Sequence, residues 1–82
     1  MDNLIGKNIA RRRKEKKYTQ EDLAGRLNIS FQAVSKWETG QSVPDVGVLA
    51  ELAYILDTDV NALVGYRYDT RKITIYEDEY RQ

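Results

Sequence analysis

Apolar residues recur at helical spacing in five short runs between residues 4 and 65, on segments joined by loops of only two to six residues. Such a chain has to pack short helices against one another, because no run alternates with period two over that stretch. The runs are Ile5 and Ile9; Leu23, Ala24 and Leu27; Val34 and Trp37; Leu49, Leu52, Ala53 and Leu56; and Val60, Leu63 and Val64. The spacing predicts an all-α fold over residues 1–65, a compact five-helix bundle. At 82 residues there is material for one core and an arm. A chain this size hides only about 60% of its unfolded surface, so the layout has to be economical.

Polar residues punctuate the runs. The first helix is expected over Leu4–Lys16. Thr19 suits an N-cap with Asp22 three positions on, a variant of the capping box. Asn28 tolerates the left-handed conformation that stops a helix in a tight turn, and Ile29 plugs that turn. Ser30 is placed to cap the third helix and Gly40 to end it. Pro44 and Asp45 mark the next start, Asp59 the last, and Gly65 its close.

Composition removes whole classes of chemistry. The chain has no cysteine and no histidine, which excludes disulfides, thiol nucleophiles, zinc fingers and imidazole catalysis. No carboxylate pair stands beside a nucleophile, a glycine-rich phosphate loop or a metal-ligand cluster, so neither enzyme activity, a cofactor nor a metal is expected. The acidic run Glu77-Asp78-Glu79 reads as a solvated tail. No apolar run approaches the ~20 residues of a membrane span, and no signal-peptide core follows Met1, so a cytoplasmic address is expected.

Thirteen basic and thirteen acidic residues cancel, yet their distribution is uneven. Residues 1–17 carry net +5, residues 18–41 −1, residues 42–65 −4 and residues 66–82 zero. A charge gradient of this kind can orient a protein on a polyanion even when the sum is nil.

Residues 20–37 hold two short helices joined by a three- or four-residue turn, the layout of a helix-turn-helix. A small residue, Ala24, stands where the helices cross, and Leu23, Leu27, Ile29, Val34 and Trp37 supply the buried contacts. Trp37 is expected in the core because it lies three positions from Val34. Phe31, Gln32, Ser35 and Lys36 are left pointing outward, and none is acidic.

On these residues the sequence resembles the phage-repressor-like (Cro/Xre) helix-turn-helix family. Thr19-Gln20 with Leu23-Ala24, Leu27-Asn28-Ile29-Ser30, the run Ala33 to Gln41, Pro44-Asp45 and Leu52-Ala53 carry the likeness, over residues 4–65. Three features depart from it. Lys17, Asn28 and Asp57 stand where relatives often have glycine, and a lysine held at positive φ costs about 1 kcal/mol. Arg12 replaces a usual leucine or isoleucine, with its stem expected over the core edge and its head in water or on phosphate.

The resemblance implies a transcriptional regulator, a repressor in the first instance, that binds double-stranded DNA sequence-specifically with a recognition helix at about 30–38 in the major groove. A homodimer on an inverted-repeat operator is the implied assembly. Gln32 is then the main base reader, since an amide can hold an adenine edge with two hydrogen bonds; Lys36 reaches guanine or phosphate, Ser35 donates or accepts, and Phe31 offers an edge to thymine methyl. Arg13, Thr19, Gln20, Ser30, Thr39, Gln41 and Ser42 fall to the phosphates. Arg13 continues the stripe of Ile5 and Ile9 and needs a carboxylate, for which Glu38 is the expected ion-pair partner. Two other readings are a protein–protein interaction module, and the N-terminal DNA-binding part of a longer protein.

Residues 66–82 lie outside the likeness. Lys72 to Tyr76 alternates with period two, with Ile73 and Ile75 on one face, and four of six tyrosines fall in this stretch. An extended arm or hairpin is expected there, serving dimerisation or linkage.

Overall fold

The computed structural model describes residues 3–65, so the arm expected over 66–82 lies outside the described residues. The described chain is helical: α1 (Leu4–Glu15), α2 (Gln20–Leu27), α3 (Phe31–Thr39), α4 (Val46–Ile55) and α5 (Val60–Val64). Its core is one cluster to which every helix contributes, and Ile9, Leu23, Val34, Leu52, Leu56 and Leu63 are fully buried. Trp37 is 7% exposed and belongs to it. α1 packs on α3 and α5, α2 on α3 and α4, and α4 on α5.

Local chemistry sets most of the helix ends. At α2 the Asp22 N–H donates to Thr19 Oγ1 at 2.9 Å and the Thr19 N–H to Asp22 Oδ2 at 2.8 Å, closing the capping box. Asp45 and Asp59 accept from the Val48 and Ala62 N–H groups at 2.9 and 2.8 Å. Ser30 occupies the N-cap of α3 with extended backbone, but its hydroxyl makes no capping hydrogen bond, contrary to expectation. α1 ends at Glu15 rather than Lys16, because Lys17 turns into the left-handed region at φ 61°. Asn28 and Asp57 take the same conformation at φ 57° and 56°.

The longer-range stitching comes from α1, which plugs the carbonyl ends of three other helices. Terminal carbonyls lack the next turn's N–H groups and take donors elsewhere; Trp37 O also accepts from the Gly40 N–H at 3.2 Å. Asn3 accepts from the Gly6 N–H as the N-cap of α1, while its Nδ2 donates to Trp37 O and Glu38 O at 3.3 and 3.0 Å. Asn8 is buried and donates to Ala62 O and Leu63 O at the end of α5, at 3.2 and 2.9 Å. Arg12 Nη2 donates to Leu56 O and Asp57 O just past α4, at 2.8 and 2.7 Å. The Arg12 head was expected in water or on phosphate. The side chain is 29% exposed, with Nη1 3.6 Å from Glu15, and its Nη2 is held at the surface by those carbonyls, where the negative end of the α4 dipole also favours a cation.

Close approach accompanies the stitching at one position. A Cβ on Gly6 would run into the Trp37 carbonyl oxygen and the Asn3 side chain, so only glycine lets α1 come this near to the end of α3.

Candidate nucleic-acid interface

Asn28, Ile29 and Ser30 join α2 to α3. In the turn the Asn28 and Ile29 N–H groups donate to Gly25 O and Ala24 O, at 3.3 and 3.0 Å. Ala24, 3% exposed, lets the two helices cross, and Val34 and Trp37 hold the inner side of α3 in the core. This rigid seat leaves Phe31, Gln32 and Lys36 exposed and Ser35 half-buried on the outer side of α3. Phe31, 44% exposed, is the apolar member of that surface. The single acid of α3, Glu38, is turned away from it.

Glu38 is the centre of a compact polar cluster. Arg13 grips it with both prongs, Nε donating to Oε2 at 2.7 Å and Nη2 to Oε1 at 2.9 Å. A third guanidinium N–H, on Nη1, goes to Tyr18 O at 2.9 Å. Gln20 Nε2 adds a bond to Glu38 Oε1 at 3.1 Å. The side chains of Arg13 and Glu38 are only 12% and 8% exposed, so the ion pair is shielded from solvent. Burial pushes the Glu38 carboxyl up. The hydrogen bonds from Arg13 and Gln20 and the charges of Arg13 and Lys14 outweigh it, and the carboxyl is held below its ordinary value. The hydrogen bond to Glu38 raises Arg13 against the opposing effect of burial, with the carboxylate's charge adding to the rise.

This cluster ties α1, α2 and α3 together at one end of α3, and the Asn3 clip on Trp37 O and Glu38 O holds the same end from α1. The exposed N-terminal half of α3 is thus carried on a fixed base. Gln20, half-buried, turns its amide N–H inward to Glu38. That bond uses one of the two N–H donors of the amide, so the second and the backbone N–H groups at the start of α2 are what this end offers a phosphate. Thr19 is exposed and engaged in the capping box.

The residues around the end of α3 are exposed: Thr39, Gln41 and Ser42. The Thr39 hydroxyl donates back to Ser35 O at 3.0 Å. Gly40 is left-handed at φ 84°, and the Gln41 and Ser42 N–H groups both close on Lys36 O, at 2.9 and 3.3 Å. Gln41 and Ser42 therefore have side chains, not backbone donors, free for a ligand. Ser30, also exposed, lies at the opposite end of α3.

Two contributors escaped the reading of the sequence. Asn3 carries an N-cap signal just before Leu4, but nothing local announces its second bond to residues 37 and 38. Lys14 acts on Glu38 through space, and its place in a run of basic residues conceals that. Among the described residues no His, Cys, Asp or Glu cluster could hold a metal ion, and no helix is long and apolar enough to cross a membrane.

Comparison with known proteins extends this geometry. A helix-turn-helix family profile matches residues 9–63. The uncharacterized HTH-type transcriptional regulator y4dJ of Sinorhizobium fredii is 45% identical over 56 residues, 68% of this chain and 73% of that protein. Multiprotein-bridging factor 1c of Arabidopsis thaliana is 37% identical over 57 residues, covering 70% of this chain. The chain spans 38% of the length of that relative. Among solved structures, the SinR protein/SinI protein complex superposes with a TM-score of 0.70 at 25% identity, over 93% of this chain and 78% of that one. The matched span takes in the turn, the Glu38 cluster and most of the core, and the chain belongs to the helix-turn-helix family, of the phage-repressor-like Cro/Xre type.

Proposed function

We propose that the protein is a transcriptional regulator, acting as a repressor, that binds double-stranded DNA sequence-specifically and works by binding rather than catalysis. The observation that carries the reading is the outer side of α3. It offers Phe31, Gln32, Ser35 and Lys36 without an acid, on a helix anchored at Val34, Trp37 and Glu38. In the major groove Gln32 reads an adenine edge, Lys36 and Ser35 reach neighbouring acceptors, and Phe31 meets a thymine methyl group. The N–H groups at the start of α2, with Thr19, Gln20, Ser30, Thr39, Gln41, Ser42 and the rim of Arg13, take the flanking phosphates. Two copies on an inverted repeat, about 34 Å between half-sites, would place one recognition helix in each.

The name of the bridging-factor relative favours a second reading, a module that joins other proteins. Fluorescence anisotropy with duplex DNA over a salt series separates the two. The DNA reading predicts affinity that falls with a steep log–log salt slope, since each neutralised phosphate adds about 0.9 to that slope. Absence of binding at low salt would overturn it in favour of the bridging module.

A further inference from the structure

Val46, Ala50 and Tyr54 follow one another at i, i+4 and i+8, so they form a single row along α4. Val46 is 81% exposed, Tyr54 is 88% exposed, and Ala50 is exposed between them. Single surface hydrophobics are ordinary, but this row continues into a shallow groove of about 470 Å³ lined by Ala50, Tyr54, Ile55, Arg26 and Glu51. The groove lies between α2 and α4, which pack on each other. Arg26 sits 4.4 Å over the Tyr18 ring, which holds its guanidinium at the rim. Among the described residues neither Arg26 nor Glu51 is in a salt bridge, although the Arg26 charge acts on Asp22 one turn earlier in α2.

An apolar floor with one cation and one anion on its rims is its own complement under a two-fold rotation. We infer that the α2–α4 face is where a second copy of this chain docks, through Val46, Ala50, Tyr54 and Ile55, with Arg26 of each copy opposite Glu51 of the other. In such an isologous contact the charge pair is made twice, and the two apolar rows cover each other. The face draws nothing from α3 or from Gln20, so both recognition surfaces stay uncovered. The inference does not rest on the DNA reading, because association is measured without DNA.

Sedimentation equilibrium on the full chain, from micromolar to millimolar concentration, tests it. The expected result is a monomer–dimer equilibrium. Arg26→Glu and Glu51→Arg should each weaken it by about tenfold or more, because each places like charges across the two-fold. An equimolar mixture of the two variants should recover association, since one copy then brings two acids and the other two bases. That recovery is a readout that simple misfolding of either variant would not give. A monomer at every concentration would overturn the inference, and is the outcome if residues 66–82 or another protein cover the groove. A dimer indifferent to both reversals, or a mixture that stays dissociated, would equally place the contact elsewhere.

Discussion

Glu38→Gln is the substitution that probes the polar cluster most directly. The carboxylate receives three hydrogen bonds, at 2.7, 2.9 and 3.1 Å, from Arg13 and Gln20. A glutamine has one acceptor oxygen and sets an NH₂ against a facing donor, so at least one of the three bonds is lost. The Arg13 cation also loses its counter-charge. Breaking a fully buried pair by removing one partner costs about 3–5 kcal/mol. Here Arg13 keeps Tyr18 O at 2.9 Å and is 12% exposed, which brings the expected loss down to about 2–3 kcal/mol.

For a domain of this size that loss corresponds to a fall in Tm of about 10–20 °C. Thermal and urea unfolding followed by circular dichroism measure it. The pH dependence gives an independent check. The Glu38 carboxyl is lowered in the folded state, so its stabilisation is complete above the ordinary carboxylate range and is lost as pH falls through the folded value. The gap between the native protein and Glu38→Gln should therefore be constant near neutrality and close in acid. A loss below about 0.5 kcal/mol, the range of an ordinary surface change, or a gap independent of pH, would refute the reasoning.

Other substitutions test the contacts of α1 and the turns. Gly6→Ala should destabilise by about 1–3 kcal/mol, because the new Cβ meets the Trp37 carbonyl and α1 has to shift; unfolding in urea reads it. Asn8→Leu should cost about 1–3 kcal/mol by orphaning the Ala62 and Leu63 carbonyls, and amide exchange in α5 should speed up more than in α3. Lys17→Gly should raise stability by up to about 1 kcal/mol, since glycine accepts φ 61° without the strain that lysine carries there; an unchanged or lowered midpoint would count against that strain.

The elements that were legible in the sequence are those written in local chemistry. Thr19 with Asp22, Asp45 and Asp59 each cap a helix within three residues of themselves, and Asn28 and Gly40 end helices by their own backbone conformation. The stripe residues of α2 and α4 went to the core because helical spacing puts them on one side. Lys17 was legible as a strained position through likeness to relatives that carry glycine there.

What stayed hidden depends on partners far along the chain. Asn3 and Asn8 find carbonyls 34 to 55 residues away, and an asparagine in a helix carries no mark of which distant helix end it will fill. The carbonyls of Leu56 and Asp57 that hold the partly exposed Arg12 head are hidden for the same reason, since nothing in a basic run marks which cation will meet a distant helix end. The outward direction of Gln32 and Lys36 follows from the packing of Val34 and Trp37, whereas the inward turn of the Gln20 amide needs Glu38 in place.

On the proposed function, α3 reads DNA sequence through Gln32, Ser35 and Lys36. Selection from random duplexes with the purified full chain, repeated with Gln32→Ala and Lys36→Ala, tests it most directly. The native protein should enrich one motif arranged as an inverted repeat. Gln32→Ala should lose discrimination worth about 1–3 kcal/mol at one base position in each half-site, and leave the others intact. Lys36→Ala should either relax a second position or weaken all sequences alike with a shallower salt slope, according to whether it meets base or phosphate. Recovery of no motif at low salt, or of the same motif with undiminished preference from Gln32→Ala, would contradict base reading by α3.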